Sequence, residues 1–205
     1  DMLKTFTVGP MEANCYILYH PAKREGLIID PGAEGPRLIR FIKEKEISIL
    51  YIINTHGHPD HTGANREVKD HTQAPILIHQ YDAPMLTRSE SVISLVFPSE
   101  YSSPPADTLL KGGDLIECAG TELKVLYTPG HTPGGISLLT EDSIFTGDTL
   151  FSGSIGRSDL PGGSPEVLLD SIDKILSLDE NLTIYPGHGP STTVGEELRN
   201  NPFVR

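Results

Sequence analysis

The alternation of apolar and polar residues divides this chain into short strands and a few amphipathic helices. The first thirty residues contain three apolar segments separated by Gly-Pro and His-Pro turns, which predicts a β-meander. The later run ILYIIN is apolar throughout, as expected for a strand buried on both faces. The predicted strands are LKTFTV, NCYILY, GLIID, ILYIIN, PILIHQ, ELKVLYT, GISLLT, SIFTG and NLTIYP.

Helices are predicted where apolar residues recur every three or four positions. Between residues 36 and 46, Leu38, Ile39 and Ile42 follow this spacing behind Pro36, which suits a first helical turn. The segment from Thr87 to Thr108 lacks such a period and is interrupted by prolines, which favours a long irregular binding loop. The other predicted helices cover residues 64–71, 82–86, 164–178 and 194–200.

The order of these elements contains a weak internal repeat. In each half a strand ends in Asp, at GLIID and at SIFTGD, and a later strand leads into a histidine beside glycine. Two such halves would pack sheet against sheet, with helices on the outer faces. We therefore expect residues 1–205 to form one domain of the α/β class, a four-layer α/β-β/α sandwich whose loops converge at one edge.

Candidate metal ligands cluster where the strand ILYIIN ends. Within six residues the chain places His56, His58, Asp60 and His61, a density that is unusual for a surface loop. Imidazole and carboxylate together suit zinc, iron or manganese, and one loop cannot surround an ion alone. Three further candidates each follow a predicted strand and adjoin glycine, namely His131, Asp148 and His188. The sequence thus predicts a metal site with seven ligands.

Four other polar residues are weaker candidates. His20 and His71 are interpreted as surface residues, and His79 as a strand-end residue that lies near the site without binding metal. Asp30 ends a predicted strand beside the site. It therefore either orients a metal-binding histidine or forms an Asx turn.

Composition excludes several classes of partner. A hydrophobic fraction of 37 % and a charged fraction of 21 % are typical of a globular protein. The net charge of −12, without any Lys/Arg cluster, argues against a nucleic-acid partner. No segment has the length of a membrane span or the form of a signal peptide, so we expect no membrane partner and a cytoplasmic location. Cys15 and Cys118 lie outside any C-x-x-C motif and are interpreted as buried thiols.

The histidine cluster resembles a known signature. THGHPDH matches the H-x-H-x-D-H motif of the metallo-β-lactamase superfamily, and TPGHTPGG, GDTLF and the late PGH follow in the family's order. This resemblance covers nearly the whole chain and implies the metallo-β-lactamase fold with two divalent metal ions. Zinc is the preferred assignment for both ions, and iron or manganese are the alternatives. It implies one metal on His56, His58 and His131, a second on Asp60, His61 and His188, and Asp148 as the bridge.

Further segments resemble the short glyoxalase II-like (hydroxyacylglutathione hydrolase-like) branch, namely NCYIL, GDTLFSGSIGRSDLPGG and NNPFVR. This resemblance implies that Arg157 binds a substrate carboxylate, for which a guanidinium is suited. The alternative is an ordinary surface cation. We expect no counterpart of the C-terminal helical domain of glyoxalase II, and YPGHGPSTT lacks the Glu-Tyr that follows its last histidine. The thiol carrier is therefore left open.

The implied function is a metal-dependent hydrolase that acts on a small-molecule thioester such as S-lactoylglutathione. A metal-bridging hydroxide would be the nucleophile, and Asp60 would be the catalytic residue that fixes its orientation. The alternative enzyme is a persulfide dioxygenase with a single iron on His56, His131 and Asp148. That branch also carries a Gly-Arg-(Ser/Thr)-Asp stretch like the one at Arg157. A purely structural metal site is a third interpretation, although such a site needs only four ligands.

Overall fold

The strands of the computed structural model, which describes residues 2–87 and 103–204, lie mainly in two sheets. The first sheet contains β1 (Met2–Val8), β2 (Ala13–His20), β3 (Glu25–Ile29), β4 (Ser48–Ile53), β5 (Ile76–His79) and β6 (Thr108–Leu110). Its order follows the chain from β1 to β6. Strands β1 to β3 are antiparallel, which confirms the predicted meander, and β3 to β6 are parallel.

The second half of the chain supplies the second sheet. Its strands, together with a small hairpin, are β7 (Leu115–Cys118), β8 (Thr121–Tyr127), β9 (Ile136–Leu139), β10 (Ser143–Gly147), β11 (Leu150–Phe151), β12 (Ser154–Ile155), β13 (Thr183–Pro186) and β14 (Thr192–Thr193). The sheet order is β14-β13-β10-β9-β8-β7, and β11 pairs with β12. Strands β10 and β13 are parallel. The pair β3–β4 in the first sheet is parallel as well, so the weak sequence repeat corresponds to a repeat in topology.

Helices cover the outer faces of both sheets. They are α1 (Gly35–Glu44), α2 (Pro59–Thr62), α3 (Asn65–Thr72), α4 (Pro165–Leu176) and α5 (Val194–Asn200), with a 3-10 turn at Ala83–Leu86. The side chains of Ser164 and Thr193 accept hydrogen bonds from backbone N–H groups in the first turns of α4 and α5, which fixes where these helices begin. Within the described residues no helix has the length and apolar character required to cross a bilayer.

Most predicted elements are confirmed within two residues of their bounds, and the differences concern short elements. Helix α2 and strands β6, β7, β11, β12 and β14 were not predicted, because two to four residues give no measurable period. The predicted irregular connection from Thr87 to Thr108 extends one residue too far, because Thr108 is the first residue of β6 and pairs with Leu77. Residues 88–102 of that predicted loop lie outside the described residues.

Alternation along the strands separates the core into layers. In β3, Leu27 and Ile29 face the cluster between the two sheets, whereas Ile28 faces α1 and α3. In the second sheet, Ile144 and Ile184 pack against α4 and α5. Because side chains of a strand point alternately to its two faces, each sheet buries both sides. The described residues thus form the expected four layers, helix, sheet, sheet and helix.

The layer between the sheets allows a direct test. Leu123 on β8 is fully buried there, whereas Leu115 on the neighbouring strand is 59 % exposed. We expect Leu123→Ala to lower the free energy of unfolding by about 3 kcal/mol, because it leaves a cavity between packed sheets. Leu115→Ala, the matched control, should change it by less than about 0.5 kcal/mol. Urea denaturation of both variants is the measurement, and equal midpoints for the two would contradict the layer assignment.

Candidate metal centre

The seven predicted ligands come from loops at one edge of the two sheets. His56 follows β4, His131 follows β8, Asp148 follows β10 and His188 follows β13. Ligands in α/β sheets are usually placed at the carboxyl ends of the strands. The geometry brings all seven candidate residues together from four separate loops.

The short helix α2 positions the acidic part of the histidine loop. His58 has extended backbone dihedrals, and Pro59 occupies the first helical position, where its missing N–H costs nothing. The N–H of His61 then donates to the carbonyl oxygen of His58 at 3.0 Å. This turn directs Asp60 and His61 to one set of donor atoms, while His56 and His58 contribute to another.

Three buried histidines form the first donor set, which consists of His56, His58 and His131. One ring nitrogen of each lies within 4.8 Å of the others. His58 Nδ1 and His131 Nε2 approach to 2.9 Å. The rings of His56 and His131 meet edge to face, with centroids 4.8 Å apart.

Two carboxylates and two imidazoles form the second donor set, which consists of Asp60, His61, Asp148 and His188. His188 Nε2 lies 3.2 Å from Asp60 Oδ2, and His61 Nε2 lies 3.3 Å from Asp148 Oδ1. Asp148 also faces the first set, because its Oδ2 lies 3.5 Å from His131 Nε2. It therefore lies between the two donor sets.

Unpartnered buried atoms show that these sets fit metal ions. Among the described residues, three buried side-chain atoms have no hydrogen-bond partner, namely Thr132 Oγ1, His56 Nε2 and Asp148 Oδ1, and the last two belong to the donor sets. A buried polar atom without a partner is costly, so native structures rarely retain one without a further use. Imidazole and carboxylate donors at this spacing suit a divalent transition metal. The chain thus presents a His/Asp site for divalent metal.

Asp30 determines which nitrogen of two histidines faces the metal site. Its carboxylate lies 3.0 Å from His61 Nδ1 and accepts the hydroxyl hydrogen of Thr55 at 2.6 Å. Because that hydroxyl has donated its hydrogen, it accepts from His56 Nδ1 at 3.1 Å. Both rings then turn Nε2 toward the donor sets. Of the two roles considered for Asp30, orientation of metal-binding histidines is the one that the structure supports.

His131 is oriented by a backbone carbonyl. Its Nδ1 lies 2.7 Å from the carbonyl oxygen of Arg157, which can only accept, so Nδ1 carries the hydrogen and Nε2 is free. The guanidinium of Arg157 is exposed and forms two hydrogen bonds with the carboxylate of Asp159, at 2.8 and 2.9 Å. Binding of a substrate carboxylate by Arg157 stays a prediction.

The other histidines lie outside both donor sets. His79 is buried and stacks on the ring of Tyr127 at a centroid distance of 4.6 Å, in agreement with a residue that does not bind metal. His71 is exposed, and His20 is half-buried at a turn, where it accepts a hydrogen bond from the N–H of Lys23. Cys15 and Cys118 are buried and free, as predicted.

The loop of His188 is held by residues for which no role was predicted. Asn14 Nδ2 donates to the carbonyl oxygens of Pro186 and Gly189, and its N–H donates to that of Gly187. The hydroxyl of Tyr16 also donates to Pro186, at 2.6 Å. A polar residue inside the strand NCYILY was the available sequence signal, because a buried amide requires partners.

Burial keeps His56 and His58 of the first donor set neutral. It holds the pKa of His56 well below its ordinary value. It also lowers the pKa of His58 to about 4, and the neighbouring imidazole of His131 adds to this effect. Both rings are therefore uncharged at pH 7 and present lone pairs to a metal.

Carboxylates reverse this trend in the second set. Burial opposes the charged form of His61, but the charges of Asp148 and Asp60 outweigh burial and raise its pKa. Burial likewise acts on His188, but its hydrogen bonds to Asp148 and Asp60 raise its pKa to about 9. Burial would raise the pKa of both aspartates, but the charge of His61 and the hydrogen bonds from His188 lower it.

These shifts predict that metal uptake releases protons. At pH 7 the raised pKa values leave protons on His61 and His188 in the metal-free protein, and a metal must displace them. The affinity of the second set should therefore rise with pH until His188 has lost its proton near its pKa of about 9. Zinc titration calorimetry at pH 7 in two buffers of different ionisation enthalpy measures the release.

Two variants assign the released protons. His188→Gln should reduce the proton release, whereas His58→Gln should leave it unchanged, because the pKa of His58 near 4 keeps that ring neutral at pH 7. Heats that do not depend on the buffer would contradict the prediction.

Several known proteins are similar in sequence to this chain along almost its whole length. The chain is 40% identical over 201 residues to the probable metallo-hydrolase YqgX of Bacillus subtilis, covering 96% of this chain and 94% of that protein. It is 35% identical over 207 residues to the hydroxyacylglutathione hydrolase GloC of Haemophilus influenzae, covering 98% and 97% respectively.

Solved structures share the fold. The BLEG-1 B3 metallo-beta-lactamase has a TM-score of 0.93 at 38% identity, covering 99% of each chain. The di-iron-bound form of TTHA1623 has a TM-score of 0.85 at 33% identity, covering 98% of this chain and 99% of that one. ETHE1 from Myxococcus xanthus has a TM-score of 0.82 at 26% identity, covering 98% and 84%.

The model of the metallo-beta-lactamase superfamily matches residues 8–188. That range contains all seven candidate ligands. With this match and full-length relatives above 30% identity, the chain belongs to the metallo-β-lactamase superfamily, and its fold is that of the family.

Proposed function

We propose that this chain is a two-metal hydrolase of small-molecule thioesters, such as S-lactoylglutathione. The observation that carries the proposal is the pair of adjacent donor sets with Asp148 between them. Asp148 Oδ1 lies 3.3 Å from His61 Nε2, and Oδ2 lies 3.5 Å from His131 Nε2. Seven donors exceed what a single structural ion uses. This excess favours a centre that leaves positions open for water and substrate.

His56, His58 and His131 would hold one ion, and Asp60, His61 and His188 the other, with Asp148 shared. Such a pair of ions lowers the pKa of water to near neutrality and polarises a substrate carbonyl. Zinc suits the donors, and so does iron, which the similar protein TTHA1623 holds in its di-iron form. We assign zinc first, because mixed imidazole and carboxylate ligation is common for it.

Asp60 is the proposed catalytic residue. Its carboxylate belongs to the second donor set, where Oδ2 lies 3.2 Å from His188 Nε2, and its side chain is 13% exposed. The low pKa of Asp60 keeps it ionised at neutral pH, so it accepts a hydrogen bond from the attacking water and fixes the direction of its lone pair. A thiolate leaving group has a pKa of about 8.5 and departs without a general acid.

The protein's own thiols do not offer a competing covalent route. Cys15 is completely buried, and burial raises its pKa well above the ordinary value. Burial also raises the pKa of Cys118 to about 11. Thiolates are the reactive form, so neither cysteine is a nucleophile at neutral pH. Attack by water on the thioester is therefore the route that the described residues favour.

The similarity to the hydroxyacylglutathione hydrolase GloC supports the thioester as substrate. The test is metal content of the purified protein together with its rate on S-lactoylglutathione, a β-lactam and glutathione persulfide. Two metals per chain and hydrolysis of the thioester alone would support the proposal. One iron per chain with oxygen consumption on the persulfide would replace it with the dioxygenase. Hydrolysis of the β-lactam alone would replace it with a lactamase.

Replacement of Asp60 tests its role in the reaction. We expect Asp60→Asn to reduce kcat for S-lactoylglutathione by at least about 100-fold, because an amide orients the attacking water less well than a carboxylate. The control is Asp70→Asn, at an exposed site on α3, which should retain the wild-type kcat. Rates are compared at equal metal content. A kcat within threefold of wild type would exclude Asp60 as the orienting group.

Replacement of Arg157 tests the substrate contact. Its ion pair with Asp159 is exposed, and such pairs contribute little, so a substrate carboxylate can exchange with Asp159. We expect Arg157→Ala to raise KM for S-lactoylglutathione about tenfold with little change in kcat, because the lost contact is equal in ground and transition states. Arg24→Ala, which removes another exposed ion pair, is the control. An unchanged KM would assign Arg157 to the surface.

A further inference from the structure

A fully buried carboxylate outside both donor sets joins the two loops that carry the first set. Asp82 lies just before the 3-10 turn and has no exposed surface. Its Oδ2 accepts from the N–H of Gly57 at 2.9 Å, and its Oδ1 accepts from the N–H of Gly134 at 2.6 Å. Gly57 lies between His56 and His58, and Gly134 lies three residues after His131. One side chain thus connects loops from different sheets.

The two loops also press against the turn that carries Asp82. A Cβ atom on Gly57 would lie 2.6 Å from Met85 Cβ, and one on Gly134 would lie 2.6 Å from Asp82 N. The turn itself is fixed, because Asp82 N donates to His79 O and Met85 N donates to Asp82 O. Because the backbone of this turn is hydrogen-bonded, the Asp82 carboxylate has a fixed position from which it holds both loops.

The second donor set depends on other supports. The loop of His188 is held by Asn14 through three hydrogen bonds to its backbone, and His61 lies against Asp30. Neither contact includes Asp82. A defect at Asp82 and a defect at Asn14 should consequently affect different halves of the centre.

We propose that Asp82 is the positioning residue of the first donor set, His56, His58 and His131, which is called the tri-histidine half below. This proposal rests on the two-metal function proposed above. By joining the N–H groups of Gly57 and Gly134, it sets the distance between the histidines of one loop and His131 of the other. His58 Nδ1 and His131 Nε2 are only 2.9 Å apart before a metal enters. Because His131 carries its hydrogen on Nδ1, His58 Nδ1 donates to His131 Nε2 in the metal-free protein. A metal bound by both nitrogens displaces that hydrogen bond, so a restraint outside the rings is required to keep both nitrogens directed at one ion.

The test uses Asp82→Asn, which keeps the size of the side chain but turns one acceptor into a donor facing an N–H. In the metal-free protein, the amide resonances of Gly57 and Gly134 should move upfield and exchange faster. In a zinc titration, the tri-histidine half should lose affinity about 10- to 100-fold, as is usual when an outer partner of a ligand is removed. The imidazole N–H signals of His131 and His61 report which half has filled.

Matched variants separate positioning from loss of stability. Asn14→Ala should give the reverse pattern, with His61 and His188 filling last. Leu123→Ala, which is destabilised through the core, should fill both halves as the wild type does. Asp82→Ser, which removes the charge without placing a donor of the same length, should show the same selective defect and serves if Asp82→Asn does not fold.

Selective loss at the tri-histidine half, with unchanged binding at the other, supports the proposal. Equal weakening of both halves, or full retention of both, would overturn it while the two-metal function stands. A wild-type protein that binds no metal would overturn the proposed function as well, so the two failures are distinguishable.

Discussion

The centre depends on the packing of the two sheets against each other. Its donors come from β4 and its following helix in one sheet and from β8, β10 and β13 in the other, so they meet only where both sheets end at the same edge. The apolar layer between the sheets, which includes Leu27, Ile53, Leu123 and Phe145, fixes that arrangement. Hydrophobic burial, the dominant favourable contribution to folding, thus also brings the ligands together in this layer.

Polar contacts then fix the orientation of the histidine rings that apolar packing has brought together. Packing alone leaves each imidazole free to present either nitrogen. The Asp30 carboxylate removes this freedom for two rings, directly at His61 and through the Thr55 hydroxyl at His56. A backbone carbonyl does the same for His131. Asp30 and Thr55 are almost completely buried, which strengthens their hydrogen bonds but would make a missing partner costly.

The grouping of the seven candidate ligands was predictable from the sequence, because their loops follow strands that end at one edge of the two sheets. That these residues bind metal stays a prediction. The layers were also predictable, since alternation such as that of Leu27, Ile28 and Ile29 survives in the fold. The supports of the site were not. Asn14 and Asp82 contact backbone groups that are distant in sequence, so a local pattern shows at most an unusual polar residue, as at Asn14, and not the loop that it holds. Short strands such as β6 were missed because tertiary pairing, not propensity, creates them.

The charges around the centre would reconcile an acidic protein with the anionic substrate proposed above. The chain carries a net charge of −12, which would repel a substrate such as S-lactoylglutathione at long range. At the site, two divalent ions would bring four positive charges against the three carboxylates of Asp30, Asp60 and Asp148. The tri-histidine set contributes no negative charge, so the positive charge is least compensated on its side of the centre. A polarised carbonyl would therefore be drawn to that half, and attack would come from the carboxylate half, where Asp60 lies.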